Sequence, residues 1–118
     1  MRTTELRRIL VVEDQALVAQ TIASALEDDY EVLQSENAPE ALAILNAGSV
    51  DLVLLDCLLP GGGYAEAIAR CDELGIPAVL MSGDPDRLAH LETGPRPFLA
   101  KPFSIDALLE TVESLTRR

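Results

Sequence analysis

The run Leu52 to Asp56, Leu-Val-Leu-Leu-Asp, is apolar without alternation until it ends in a carboxylate. A strand with one wet face alternates apolar and polar residues, whereas an unbroken run of this length reads as a strand buried on both faces. Such a strand belongs in a parallel sheet with helices covering both sides, and the rest of the chain supplies the parts. Arg8 to Val12, Tyr30 to Gln34, Pro77 to Met81 and Arg96 to Ala100 read as further strands. Helical patterns lie between them. Gln15 to Glu27 puts Leu17, Val18, Thr21, Ile22, Ala25 and Leu26 on one stripe, with Asp14 placed to cap it. Pro39 to Asn46 offers Ala41, Leu42 and Leu45 and stops at Gly48. Tyr64 to Leu74 turns Ala65, Ile68, Ala69 and Leu74 inward and stops at Gly75. Asp84-Pro85 opens a short helix through Leu91 that Gly94-Pro95 breaks. Ser104 caps a last helix with Ile105, Leu108, Leu109, Val112 and Leu115 in a clean stripe. Five strand and helix pairs in alternation predict an α/β fold, a doubly wound parallel sheet.

Composition narrows the function. With 118 residues the expectation is one domain over 1–118, long enough to bury roughly two-thirds of its unfolded surface. A net charge of -11 repels phosphate backbones, and two tyrosines, two phenylalanines and no tryptophan leave little to stack on bases. Direct nucleic acid contact is therefore not expected. No apolar run approaches the ~18 residues of a membrane span, and MRTTELRR lacks the apolar core of a signal peptide, so no membrane contact and a cytoplasmic location are expected. Cys57, Cys71 and His90 fit no metal-ligand spacing, and both cysteines read as buried reduced thiols.

The chemistry collects at one edge. In open parallel sheets ligands bind outside the carboxyl ends of the strands. Just past those ends stand Glu13 and Asp14, Asp56, Ser82 and Lys101. Asp56 alone would read equally well as a turn aspartate before Leu-Pro-Gly-Gly-Gly, but the convergence does not. Three carboxylates brought together raise one another's pKa values unless cations hold them ionised. The hard cation that takes carboxylates, a carbonyl, waters and a phosphoryl oxygen is Mg²⁺, placed between Asp14 and Asp56. So neutralised, an aspartate can attack phosphorus and form an acyl phosphate, with Mg²⁺ and Lys101 supplying positive charge and Ser82 a hydrogen bond. Gly61 to Gly63 lack a following Gly-Lys-Ser/Thr and read as a turn rather than a phosphate cradle.

These motifs resemble the receiver domain of two-component response regulators. The acidic pair Glu13-Asp14, Asp56 with Leu59-Pro60-Gly61 behind it, Ser82-Gly83, and Lys101-Pro102-Phe103 stand in the family's order along the whole chain. The resemblance implies a flavodoxin-like sheet in the strand order 2-1-3-4-5. It implies phosphorylation of Asp56 by a histidine kinase or histidine phosphotransfer protein, in a regulatory domain that catalyses only its own phosphorylation and dephosphorylation. Mg²⁺ would be held by Asp14, Asp56 and the carbonyl of Leu58, and by Glu13 through water. A switch is also implied, in which Ser82 moves toward the phosphoryl group and Phe98 swings inward, although a plain core role for Phe98 fits equally. The altered face would comprise Asp84 to Leu91, the fifth strand and the last helix, meeting a downstream protein target or output domain. A phosphorylation-dependent homodimer, if formed, would use the same strand and flanking helices.

Departures from the family pattern and two alternatives stand beside this. Gly61-Gly62-Gly63-Tyr64 replaces the usual polar turn, and Leu58 cannot hydrogen-bond an attacking water as a polar residue would. Phosphatases of the haloacid type also use an aspartate nucleophile with Mg²⁺, but expect a second acid where Leu58 stands. The other alternative is a receiver-like interaction module that no longer accepts phosphate. The kinase, the target, the oligomeric state, the phosphoryl lifetime and any further output domain stay open.

Overall fold

The structure, a computed structural model, describes residues 6–117; the polar lead at 1–5 lies outside the described residues. Five parallel strands, β1 (Arg8–Val12), β2 (Glu31–Ser35), β3 (Leu52–Asp56), β4 (Ala78–Ser82) and β5 (Phe98–Ala100), form one sheet in the order β2-β1-β3-β4-β5. Between and after them come α1 (Ala16–Leu26), α2 (Ala38–Ala47), α3 (Tyr64–Leu74), α4 (Pro85–Glu92) and α5 (Ile105–Thr116). This is the fold class and strand order expected. β3 and β4 are buried along their whole length, because each lies inside the sheet with helices on both faces.

The pleat divides the apolar residues into two layers. Leu10, Val12, Val53, Leu55 and Leu80 face a core completed by Ala41, Leu45, Ala67, Cys71 and Leu91 of α2, α3 and α4. Ile9, Val11, Leu52, Leu54, Val79 and Met81 face Ile22, Leu26, Leu108 and Val112 of α1 and α5. The alternation places consecutive strand residues on opposite layers, so neither layer could be lost without exposing half of every strand.

Three helix details correct the sequence reading. In α1 the buried stripe is Ala19, Ile22, Ala23 and Leu26, while Leu17 is 76% exposed and Thr21 is exposed. Small alanines bring that helix close to the sheet, and a reading weighted toward large side chains rotates the stripe by about one residue position. In α3 the buried positions are Ala67 and Cys71, with Tyr64 and Ile68 half-buried; Ala65 and Ala69 are exposed and Leu74 is 40% exposed. Asp14 does not cap α1, whose N-cap is Gln15 with no side-chain cap bond. The Gln15 N–H instead donates to Glu13 Oε2 at 3.2 Å, which leaves the exposed Asp14 carboxylate at the sheet edge. Asn37, Asp84 and Ser104 do cap α2, α4 and α5 through their side chains.

Candidate functional site

β1, β3, β4 and β5 run parallel and in register, so the residues that close them share one edge. Ser82 pairs with Ala100, and Asp56 with Met81. Just beyond, Asp14, Asp56, Ser82 and Lys101 line a cleft of about 580 Å³ together with Leu58 and Arg87, and Glu13 lies buried beneath it, bonded to Lys101. The carboxylates of Glu13, Asp14 and Asp56 each offer an oxygen within 4.8 Å of the others.

Lys101 ties the acids together. Its Nζ donates to Glu13 Oε1 at 2.7 Å and to Asp56 Oδ2 at 3.3 Å. The Leu58 N–H donates to Asp56 Oδ1 at 3.0 Å, so both oxygens of Asp56 are oriented. Glu13 is 1% exposed, and burial raises its pKa above the ordinary value, which the bonds from Lys101 and Gln15 only partly offset. Burial alone would lower the Lys101 pKa, yet the bond to Glu13 and the charges of Asp56 and Glu13 carry it upward. The lysine is a fixed cation. Ser82 is buried and its Oγ accepts the Asp84 N–H at 3.1 Å, leaving its own proton available to another acceptor.

The donor set suits a hard divalent cation. All three clustered ligands are carboxylates, and with Lys101 protonated they leave two net negative charges, which one divalent cation balances. Leu58, 81% exposed, puts an apolar side chain at the cleft mouth. Phe98 is half-buried at the start of β5 opposite Leu80, and packs on the α2–α4 side of the core. Cys57 and Cys71 are buried and free, with burial pushing the Cys71 thiol up to about 11.

Two participants were not legible in the sequence. Arg87 of α4 lines the cleft, its guanidinium carbon 5.0 Å from the centre of the Tyr64 ring and its Nη1 donating to the Tyr64 hydroxyl. Sequence spacing offers Arg87 a local partner in Asp84, three residues earlier, but Asp84 Oδ1 is occupied by the Asp86 N–H as helix cap. The glycine turn prepares the other side: Gly63 has φ of 91°, and a β-carbon there would lie 2.7 Å from the Ala38 β-carbon. Only glycine fits, and Tyr64 follows as the first residue of α3.

The family model described as response regulator receiver domain matches residues 9–113. Over 120 aligned positions the chain is 34% identical to the phosphate regulon transcriptional regulatory protein PhoB of Escherichia coli, covering 95% of this chain and 52% of that protein. The corresponding protein of Pseudomonas aeruginosa is 37% identical with the same coverage. The chain thus spans about half the length of the curated relatives it matches. A solved response regulator receiver domain protein from Methanospirillum hungatei superposes with a TM-score of 0.81 at 28% identity, over 94% of each chain. With the match running from the first strand into the last helix, this chain belongs to the response regulator receiver domain family of two-component systems.

Proposed function

We propose that Asp56 accepts a phosphoryl group in a Mg²⁺-dependent transfer from a histidine kinase or histidine phosphotransfer protein, and that the change is passed to α4, β5 and α5 to control binding of a downstream target or output domain. The supporting observation is the convergence of Asp56, Glu13, Asp14 and Lys101 at one sheet edge, with Lys101 Nζ bonded to both Glu13 and Asp56. Glu13, Asp14, Asp56 and the Leu58 carbonyl would hold Mg²⁺. When bound, that ion offsets the negative charge gathered where the phosphoryl group enters.

The chain's own residues do the rest. A carboxylate oxygen of Asp56 bonds to phosphorus as the bond from phosphorus to the donor's leaving group breaks, and that group departs with the electron pair. Lys101 holds the carboxylate in place and then pairs with the phosphoryl oxygens, while the Ser82 hydroxyl donates to them. Ser82 lies beside Ala100 in the β4–β5 ladder and Phe98 begins that strand, so movement of Ser82 is passed first to β5. The same face is where a homodimer would form. The cytoplasm is the compartment proposed, and among the described residues no helix is long and apolar enough to cross a membrane.

The test is intact mass after incubation with Mg²⁺ and acetyl phosphate. One added phosphoryl group, absent when EDTA removes the metal, is expected; no adduct from acetyl phosphate or from any histidine-phosphorylated donor would leave the interaction module as the reading. A second expectation concerns lifetime. Leu58 presents no hydrogen-bonding group to an attacking water, and Leu58→Asn is expected to speed loss of the phosphoryl group by about three- to tenfold, the effect of one added hydrogen bond. Mass measured against time decides it, and an unchanged decay would remove Leu58 from control of hydrolysis.

A further inference from the structure

The cleft holds a cation that the phosphoacceptor mechanism does not use. Arg7, Arg8, Arg70, Arg96 and Arg117 each pair with a carboxylate, whereas among the described residues Arg87 pairs with none. In a chain of net charge -11 this is not for want of acids. Arg87 lines the same cleft as Asp56, Ser82 and Lys101, half-buried, and its only hydrogen-bond acceptor among the described residues is the neutral Tyr64 hydroxyl.

We propose that Arg87 is a second phosphoryl-binding cation, held against Tyr64 while Asp56 is unmodified and transferred to the phosphoryl oxygens once the group is attached. This rests on the reading of Asp56 as phosphoacceptor. Charge supports the transfer. Before modification, Lys101 and one divalent cation balance Glu13, Asp14 and Asp56. Attachment replaces the single charge of Asp56 by about two on the phosphoryl group, leaving one negative charge that a guanidinium matches.

Geometry supports it as well. An aromatic face and a neutral hydroxyl are weak partners for a guanidinium, whose planar fork suits phosphoryl oxygens better. Tyr64 is therefore a holding site, strong enough to keep Arg87 in the cleft and weak enough to release it. Because Tyr64 begins α3 and Arg87 lies in the first turn of α4, the transfer breaks a cross-brace between those helices. It thus connects the phosphoryl group to α4 directly, alongside any path through Ser82 and β5.

The composition provides the probe. Tyr30 and Tyr64 are the only tyrosines and there is no tryptophan, so a Tyr30→Phe chain emits from Tyr64 alone. Beryllofluoride with Mg²⁺ serves as the phosphoryl mimic, and ¹⁹F NMR titration reads its affinity independently of emission. Bound beryllofluoride is expected to change Tyr64 emission in Tyr30→Phe. On that background Arg87→Gln is expected to emit at the released value from the start and to bind beryllofluoride about tenfold more weakly, the effect of one charge-assisted hydrogen bond. Arg87→Lys, which keeps the charge, falls between. Tyr64→Phe removes the competing hydroxyl and is expected to bind more tightly, a change opposite in sign to general damage. Unchanged affinity in Arg87→Gln, or bound fluorine signals without any change in Tyr64 emission, overturns the inference while leaving Asp56 as phosphoacceptor. If Arg87→Gln does not fold, equal or weaker binding by Tyr64→Phe overturns it alone. No bound fluorine signal and no phosphoryl adduct in wild type would overturn both readings together.

Discussion

An Asp56→Asn chain incubated with Mg²⁺ and acetyl phosphate is expected to keep its unmodified mass while the wild-type chain gains one phosphoryl group. The loss should be complete, because an amide oxygen is a poor nucleophile toward phosphorus. The local structure should survive. The asparagine carbonyl can still accept the Leu58 N–H, now 3.0 Å from Asp56 Oδ1. Its NH₂ would face Lys101 Nζ across the 3.3 Å now bridged by Asp56 Oδ2, donor against donor, so the lysine leans on Glu13 alone. Thermal unfolding recorded beside the mass separates lost chemistry from lost fold. An adduct of the same mass on the variant would move the phosphoacceptor to another residue, Asp14 or Glu13 being nearest.

Replacing Lys101 by Met has the largest expected effect on stability. Methionine keeps the apolar stem that lies 3.5 Å from where a Gly83 β-carbon would stand, but leaves the fully buried Glu13 side chain without its cation. Breaking one partner out of a buried ion pair costs about 3–5 kcal/mol. Lys101 is 23% exposed at an open cleft, which lowers the figure to about 2–3 kcal/mol at pH 7.

The pH dependence has a definite sign. Burial already raises the Glu13 pKa, and loss of Lys101 raises it further above the ordinary 4.5 of the unfolded chain. Below 4.5 both states hold the proton and the deficit from this group vanishes. As pH rises through the window between the unfolded and folded values, the unfolded chain ionises first and the variant loses stability; above the folded value the deficit is constant. Denaturant unfolding of both proteins at pH 7 and near pH 4 measures this, and equal stability at pH 7 would mean that Lys101 does not hold the acids together.

The sheet and the site residues were legible for one reason, and the helix faces were obscure for another. β1 has the same bounds in sequence reading and structure, because a doubly buried strand is a contiguous apolar run that a polar residue ends abruptly. The same polar residues, standing where strands stop, are the ones that reach the edge. In α1, by contrast, eight of eleven residues are apolar, so two overlapping stripes compete and local spacing cannot choose between them. Asp14 illustrates the same limit: an acid before a helix reads as a cap, and only the path of the chain decides that Gln15 occupies that position.

The sequence by itself determined the parallel α/β architecture and which residue types stand at the strand ends, since hydrophobic period and turn chemistry are local properties. Tertiary structure alone decided the pairings. It linked Lys101 to Glu13 across 88 positions and to Asp56 across 45. It sent Arg87 to Tyr64 rather than to a neighbouring aspartate, and put Ala19, Ala23 and Ala67 inward while Leu17, Thr21, Ala65, Ala69 and Leu74 stayed exposed. Which side chain meets which depends on helix rotation and on the approach of distant elements, and those are settled by packing the whole core at once.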